Sequence, residues 1–415
     1  MRGSRPVVIL SGLAACVLYL AAGSLPTDGS QGASPGKATT RKEAKGAKPK
    51  KEEQLDPAQW DELLARRDEI VKEISALDRQ ARTADDAVKQ KLFQQFQALD
   101  AEFRTELQPR MIKLAPLVLA KDPGNLQAAE VVINVAYRQN RYQEVLELGR
   151  KLLDADKSSP PLLNIVGISQ FATHDFEKAQ ETLTLASQAD PQGFAQMGGP
   201  YLEACEDYLE YWKKEQELRA AEAQADDLPR VLLKTTRGDI VLELFENEAP
   251  NTVANFISLV EGGKYDGVAF HRVIPNFMAQ GGDPNTLDGD PDNDGGGGPG
   301  YTIPCECYQE NARKHFQGSI SMAHAGKDTG GSQFFLTHLP TTHLNYVAGK
   351  SQSNHTVFGR IVKGLPNALE LQAGDKIQTA KVLRKRDHEY VPKTLADKRR
   401  NSSQRSKKKV SDDDR

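Results

Sequence analysis

Apolar and polar residues follow three different patterns along the chain, and each pattern predicts a different kind of structure. Val7–Ala22 is a continuous apolar run behind Arg2 and Arg5. A basic start followed by such a run is typical of an export signal or membrane anchor, here within residues 1–23. Residues 24–55 contain almost no bulky apolar side chain, which predicts a disordered linker.

The apolar run leaves three outcomes open. Small residues near Ala21 permit cleavage, and Leu13–Cys16 resembles a lipoprotein box in which Cys16 would be lipidated. An uncleaved anchor is the third outcome, since about 20 apolar residues span a bilayer and this run is slightly shorter. All three favour an exported protein, in the bacterial periplasm, with attachment to the inner membrane in two of them.

A helical period begins at Asp56–Pro57, which is typical of an N-cap followed by proline at the first helical position. Leu63, Ile70 and Leu77 then recur every seven residues on one side of a helix. A second apolar stripe runs from Leu92 to Leu107. With a break near Thr83–Asp86, these stripes predict a helical hairpin over residues 56–108.

The next region, residues 109–221, contains an internal repeat. Tyr142 and Phe176 lie 34 residues apart, and the same interval separates Asp122, Asp156 and Asp190. Two helices in a 34-residue period are the signature of tetratricopeptide repeats, which the chain resembles best over Asn164–Pro191. Two repeats are fewer than the three that stability usually requires, so we expect the flanking helices to act as caps.

The repeats allow two interpretations. One is a concave groove that binds a protein partner, and the other is a spacer or packing platform for the domain that follows. The sequence favours neither.

From Val231 onward the period changes to two. Val231–Thr236 and Ile240–Phe245 predict a hairpin, and Pro250–Glu261 and Pro366–Gln372 predict helices. Six further short strands are predicted near Val268–Ile274, Met278–Gln280, Ser319–Ala323, Gln333–Thr337, Thr356–Ile361 and Thr379–Arg384. Many short strands with two helices favour a closed antiparallel barrel. The predicted fold class is therefore multidomain α plus β, with a helical region followed by an eight-stranded barrel.

One segment of this region, Phe270–Asp283, combines a charge with apolar neighbours. Strand alternation places Arg272 on the same face as Phe270 and Ile274, and Gln280 follows eight residues later. A cation held against an apolar floor is suited to binding the polar centre of a hydrophobic substrate.

Two further motifs, Ser319–Gly326 and Gly331–Thr337, follow in order. Together with Phe270–Asp283 they closely resemble the cyclophilin family of peptidyl-prolyl cis-trans isomerases, over residues 229–385. The resemblance implies a closed eight-stranded barrel with a helix covering each end. It also implies isomerase activity on proline-containing polypeptides.

The resemblance also implies roles for individual residues. Arg272 is the implied catalytic residue. The proline pocket is implied to consist of Phe277, Met278, Phe335 and Leu344, with His355 at its rim. Gln280, Ala323 and His324 would hold the peptide groups of the substrate. His271 would pack and form hydrogen bonds beside the site.

One position departs from the family pattern. His343 stands where many members have a tryptophan that contributes to binding cyclosporin, which leaves cyclosporin binding in doubt. A polar insertion, Tyr346–Asn354, also separates Leu344 from His355 and would lie near the pocket mouth.

Isomerisation of a prolyl bond needs neither a metal nor a cofactor. Rotation is slow because resonance gives the bond partial double character, with a barrier near ~20 kcal/mol. A catalyst has to bind the twisted amide better than either planar form. The guanidinium of Arg272, always charged and planar, would donate to the prolyl nitrogen as its lone pair returns.

Three functions follow for the whole chain. The first is an isomerase that assists the folding of exported proteins. The second is a module that binds proline segments without turnover, and the third is a scaffold built on the repeats.

Charge limits the partners. The net charge of −3 is segregated: residues 1–36 sum to +1, 37–51 to +6 and 384–415 to +6, which leaves −16 for residues 52–383. An acidic folded body excludes a specific nucleic-acid interface, which requires a basic folded face. The basic residues 386–415 predict a disordered tail.

Cysteine and aspartate patterns offer two weaker candidates for metal sites. Cys305 and Cys307 are either a metal pair, a strained disulfide or two ordinary thiols, and the last interpretation is favoured because a zinc site needs about four ligands. Within the Asp-rich loop 288–294, Asp290–Gly295 matches the opening of an EF-hand calcium loop, but Tyr301 occupies the twelfth position, where the loop needs a bidentate glutamate. A solvated turn is therefore favoured there, and no metal is assigned.

Overall fold

The computed structural model describes residues 56–346 and 354–397. The predicted signal or anchor, the linker up to residue 55, most of the 346–354 insertion and residues 398–415 lie outside this range. The chain divides into two compact units. The first takes the chain up to Ala136 together with Glu147–Ile165, and the second takes Tyr137–Leu146 together with the chain from Val166 on.

The predicted N-terminal hairpin is confirmed. Asp56 accepts a hydrogen bond from the backbone of Ala58 and caps a short 3-10 turn, after which helix α1 spans Trp60–Ala81. Asp85 caps helix α2, Asp86–Glu102, which continues through a π-helical turn, Phe103–Leu107. The apolar stripes of both helices pack into one core, whose central residues include Ile70, Ile74 and Phe96.

The helices of the repeat region begin at the predicted interval. They are α3 Gln108–Lys121, α4 Leu126–Arg138, α5 Tyr142–Asp154, α6 Pro160–Ala172, α7 Phe176–Ala189, α8 Pro191–Met197 and α9 Gly199–Ala225. The starts of α4 and α6 are 34 residues apart, as are those of α5 and α7. The period therefore corresponds to a repeated pair of helices, while their membership of the tetratricopeptide family stays a prediction.

In the second unit, helices pack directly on the β domain. Tyr208 and Trp212 of α9 contact Phe316 of the β domain, with ring centroids 5.6 and 5.1 Å apart. Phe171 and Phe176 complete this aromatic cluster against Tyr208, at 5.2 and 5.5 Å. Buried aromatic packing thus joins α9 to the β domain, and the predicted domain boundaries, 109–221 and 229–385, stay a prediction.

The β domain contains the eight predicted strands and two helices. The strands are β1 Arg230–Thr235, β2 Gly238–Leu244, β3 Arg272–Ile274, β4 Met278–Gly281, β6 Ser319–Met322, β7 Phe334–Thr337, β8 Val357–Lys363 and β9 Ile377–Arg384, and an additional strand, β5, is Tyr301–Thr302. The helices are α10 Pro250–Glu261 and α11 Leu365–Leu369. Most boundaries lie within two residues of the prediction, but β3 begins four residues later.

The eight strands form one antiparallel sheet in the order β3-β4-β7-β6-β8-β2-β1-β9. The sheet is curled and open, because its edge strands β3 and β9 do not pair as a ladder, and the closed barrel stays a prediction. Between the two edges there is a single bridge, Ala269 to Lys376. The chain at 267–270 meets the start of β9 through a few backbone bonds and then turns away into β3.

The end of the described chain also differs from the prediction. The sequence predicts a disordered tail from residue 386, but residues 386–397 pack on the β domain. Tyr390 is buried and its hydroxyl donates to Glu246 at 2.8 Å. Strand β10, Leu395–Ala396, pairs with β5. The rest of the predicted tail, residues 398–415, lies outside the described residues.

Among residues 56–346 and 354–397, no helix is both long and apolar enough to cross a bilayer.

Candidate active site

The register of the sheet brings the predicted site residues into one row. Arg272 on β3 lies opposite Gln280 on β4, Gln280 lies opposite Phe335 on β7, and Phe335 lies opposite Ser321 on β6. Directly opposed residues of antiparallel strands project to the same face. Residues that are some 60 positions apart in sequence are therefore neighbours on one surface of the sheet.

The other face of the same strands forms the core. Ala279, Ile320, Phe334 and Leu336 alternate with the site residues and join the main apolar cluster of the β domain. Phe334 therefore faces the core. Burial on the core side fixes the register, because a slip by one residue would exchange the two faces.

A small apolar cluster beside this row matches the predicted proline pocket. Met278, Phe335 and Leu344 are buried together, with Phe277 and Ala323 packed half-exposed against them. The ring of His343 lies 5.3 Å from that of Phe277, at the exposed edge of the cluster. Side chains from β4, β7 and the 342–344 turn thus form one apolar cluster, and its role as a proline pocket stays a prediction.

Arg272 is exposed on the edge strand and makes no ion pair with any residue in the described parts of the chain. Gln280 next to it is held in place, because its amide donates to Gln333 Oε1 at 3.0 Å. The Gln333 amide in turn donates to the carbonyl oxygens of Gly295 and Gly297, at 3.0 and 2.9 Å. An unpaired guanidinium therefore lies beside an oriented amide.

Two predicted histidines form the far rim of the pocket. The rings of His324 and His355 stack 4.1 Å apart, and His355 meets the edge of Phe335 at 5.3 Å. Hydrogen bonds to the carbonyl oxygens of Asn354 and Met322 orient these two rings, at 2.7 and 2.8 Å respectively. Burial lowers the pKa of both side chains, that of His355 to about 4, so they are neutral near pH 7.

His271 differs in part from its predicted role. It packs behind Arg272, and its ring lies near Gly295. Neither ring nitrogen has a hydrogen-bond partner among the described residues, so the expected hydrogen bonding is not seen. Burial lowers the pKa of His271. A neutral ring that only packs is consistent with a reaction that transfers no proton.

Two residues of the site were missed from the sequence. Gln333 orients Gln280, and its position two before Phe335 on the same strand face was a usable signal. His315 lies behind the pocket, where its ring stacks on Phe335 at 5.9 Å with an interplanar angle of 7°. A single histidine before Phe316 carries no local signal of that contact.

The weaker candidates find no support as metal sites. Cys305 and Cys307 are free thiols, and Cys307 Sγ donates to the Asn354 carbonyl oxygen at 3.3 Å. In the Asp-rich loop, Asp288 and Asp290 accept hydrogen bonds from the backbone two residues ahead, at 2.8 and 3.1 Å. The described residues contain no group of three or more acidic, histidine or cysteine side chains placed to hold a metal.

Comparison with known proteins places this site in a family. The profile for cyclophilin type peptidyl-prolyl cis-trans isomerase/CLD matches residues 230–387. A Synechococcus elongatus peptidyl-prolyl cis-trans isomerase is 46% identical over 158 residues, which cover 38% of this chain and 97% of that protein. Peptidyl-prolyl cis-trans isomerase B of Bacillus subtilis is 50% identical over 143 residues, covering 34% and 90%.

Among solved structures, a Cryptosporidium parvum cyclophilin type isomerase, determined in the presence of the dipeptide Ala-Pro, is 29% identical. The match covers 37% of this chain and 98% of that one, with a TM-score of 0.31.

Proposed function

The chain belongs to the cyclophilin family of peptidyl-prolyl cis-trans isomerases, and on that premise we propose that Arg272 is the catalytic residue of its isomerase domain. The observation that carries the proposal is the row Arg272–Gln280–Phe335 beside the apolar cluster of Met278 and Leu344. A proline ring bound in that cluster lies next to an unpaired guanidinium. The amide to be twisted is then within reach of the Arg272 guanidinium.

The contribution of each group follows from the demands of the twisted state. Burial of the ring against Met278 and Phe335 binds planar and twisted forms alike, so it contributes affinity. A hydrogen bond from Arg272 to the prolyl nitrogen forms only when resonance is broken, so it lowers the barrier. Gln280, oriented by Gln333, is placed to bind the adjacent peptide group.

The test is the rate of cis-trans exchange in a short Xaa-Pro peptide, measured by exchange NMR with wild type, Arg272→Ala and Arg272→Lys. We expect the alanine variant to lose on the order of 100-fold in kcat/KM, with peptide affinity changed much less. The lysine variant should recover only part of the rate, because an ammonium lacks the planar donor geometry. A cis-trans exchange rate near that of the wild type in the alanine variant would show that Arg272 is not catalytic.

A module that only binds proline segments is the alternative, and the same experiment decides it. Binding of the peptide without accelerated exchange by the wild type would favour that alternative. The exposed, unpaired state of Arg272 favours the enzyme.

We further propose that the clients are exported proteins and that the helical repeats bind them. The basic, apolar N-terminus supports export, and the 34-residue offset of the helix pairs supports a repeat groove. A bound client would have a raised effective concentration at the pocket. A reporter fused after Gln54 tests the first point, since it should be active only outside the cytoplasm. Cytoplasmic reporter activity without a membrane or periplasmic fraction contradicts it.

A further inference from the structure

Helix α9, which lies outside the range matched by the isomerase family, inserts a tyrosine hydroxyl into the isomerase domain. Tyr208 is 1% exposed. Its hydroxyl donates to the His315 carbonyl oxygen at 3.0 Å and accepts from the Asn345 amide nitrogen at 2.8 Å. A single buried oxygen therefore connects two segments of the β domain that are 30 residues apart.

Asn345 is the residue after Leu344, a wall of the proline pocket. Its side-chain oxygen accepts from the backbone N–H of His315 at 3.0 Å and from the His315 ring at 2.9 Å. The oxygen and nitrogen of the amide are thereby distinguished, because the oxygen faces two donors and the nitrogen faces Tyr208. Asn345 is 8% exposed, so water does not substitute readily for any of these partners.

His315 extends the same network to the opposite wall of the pocket. It is fully buried, its Nε2 lies 2.9 Å from Ser321 Oγ, and its ring stacks on Phe335. Since Nδ1 donates to Asn345, Nε2 is an acceptor beside the Ser321 hydroxyl, which also lies 3.1 Å from the Thr356 carbonyl oxygen. The network Tyr208–Asn345–His315 thus contacts both Leu344 and Phe335, the two sides between which the proline ring would lie.

We propose that Tyr208 is a positioning residue for the proline pocket, acting through Asn345 on Leu344. The proposal rests on the function proposed above, since the pocket is taken to bind proline. Without the hydroxyl, the buried His315 carbonyl oxygen loses the donor Tyr208 and the Asn345 amide loses an acceptor, a costly state that the 343–345 turn relieves by moving toward water. Leu344 moves with that turn, and the pocket widens.

The kinetic consequence separates positioning from general stabilisation. Leu344 would contact the proline ring in the planar and twisted states alike. Its displacement would therefore weaken the binding of both states equally, which raises KM and leaves kcat nearly unchanged. A tyrosine that only stabilises the fold would lower the melting temperature and leave KM unchanged for the folded fraction.

The experiment uses the full chain with Tyr208→Phe, which retains the ring and its contacts with Phe171 and Phe316. The matched control is Tyr201→Phe on the same helix, whose ring packs on Phe171. We expect Tyr208→Phe to raise KM for an Xaa-Pro peptide by about fivefold with kcat within about twofold, and Tyr201→Phe to change neither. In methyl NMR spectra, only Tyr208→Phe should shift the Leu344 signals.

A double-mutant cycle tests the route. Asn345→Ala should raise KM similarly, and adding Tyr208→Phe to it should have little further effect, because the two residues act in series. If Tyr208→Phe does not fold, Asn345→Ala removes the same hydrogen bond between residues 208 and 345. We then expect the same rise in KM with kcat nearly unchanged.

Wild-type KM in folded Tyr208→Phe, or additive effects in the cycle, would overturn the inference. An inactive wild-type protein would instead refute the proposed function. In that case the peptide dissociation constant, measured by titration, still tests whether Tyr208 shapes the pocket.

Discussion

Arg313 and Glu215 form a buried ion pair with two parallel hydrogen bonds, from Nε and Nη2 to the two carboxylate oxygens, each 2.9 Å long. Their side chains are only 2% and 5% exposed. Glu222 lies on α9 seven residues after Glu215, about two helical turns further on. It contacts Arg313 at 2.5 Å and Arg360 at 2.6 Å. Two arginines of the β domain are thus neutralised by carboxylates of a helix that precedes it.

Removal of the Glu215 charge should destabilise the protein. Glu215→Gln leaves a buried guanidinium partly uncompensated, which we expect to lower the free energy of unfolding by about 3 kcal/mol. The measurement is urea unfolding followed by circular dichroism. Glu210→Gln on the exposed face of α9 is the control and should change stability by less than about 0.5 kcal/mol. Equal midpoints for the two variants would contradict the prediction.

The isomerase domain should be less stable when cut out at its family boundaries. A fragment of residues 229–397 lacks Glu215, Glu222 and Tyr208, which leaves Arg313 and Arg360 with fewer partners and exposes Phe316. We expect a lower thermal midpoint than for a fragment that begins at Pro160. Differential scanning calorimetry of both fragments checks this, and identical midpoints would show that α9 contributes nothing to the fold.

The pocket edge should bind cyclosporin weakly, because His343 offers a smaller and more polar ring than tryptophan. His343→Trp should tighten binding by about fivefold, through added aromatic contact beside Phe277. Calorimetry measures the affinity, and peptide isomerisation by both proteins should be similar. Tight binding by the unmodified protein would show that residue 343 does not determine the affinity for cyclosporin.

Stability should fall as the pH drops from 7 toward 5. Burial lowers the pKa of His174 and His315 to about 3 and that of His338 and His355 to about 4. A histidine near its usual pKa of 6.5 in the unfolded chain then binds protons that the folded chain excludes, so acid favours unfolding. Proton binding by His315 in the unfolded chain should alone lower the free energy of unfolding by about 2 kcal/mol at pH 5.

Carboxyl groups partly oppose this trend. Burial raises the pKa of Glu130, Glu248 and Asp294, which titrate with the opposite sign, but the pKa shifts of the four imidazoles are larger. Urea midpoints between pH 5 and 7 test the balance, and a midpoint independent of pH would contradict it. The kcat/KM of the folded protein should stay constant over the same range, since none of these rings changes charge there.

The sequence alone predicted those features of the structure that depend on local periodicity. Alternation along β4 and β7 separates the side chains that face the core from those that remain for a site. On β3 it was wrong for Phe270, which was predicted on the face of Arg272 but is buried in the core, because β3 begins only at Arg272. The helical start at Asp56 was predicted from its capping side chain, and the break near Thr83–Asp86 contains Asp85, which caps the next helix; both side chains bind backbone groups within three residues. These effects act over a few residues, so they can be read from a single sequence.

Tertiary structure alone decided what lies behind the site. Tyr208 and Asn345 are 137 residues apart, and α9 would bury its aromatic stripe equally well against another helix. The glutamates of α9 are ordinary surface residues by their spacing until Arg313 and Arg360 are placed opposite them. The open edge between β3 and β9 likewise depends on where the chain turns after Phe270. Such pairings depend on packing between distant segments, and no local period encodes which surfaces meet.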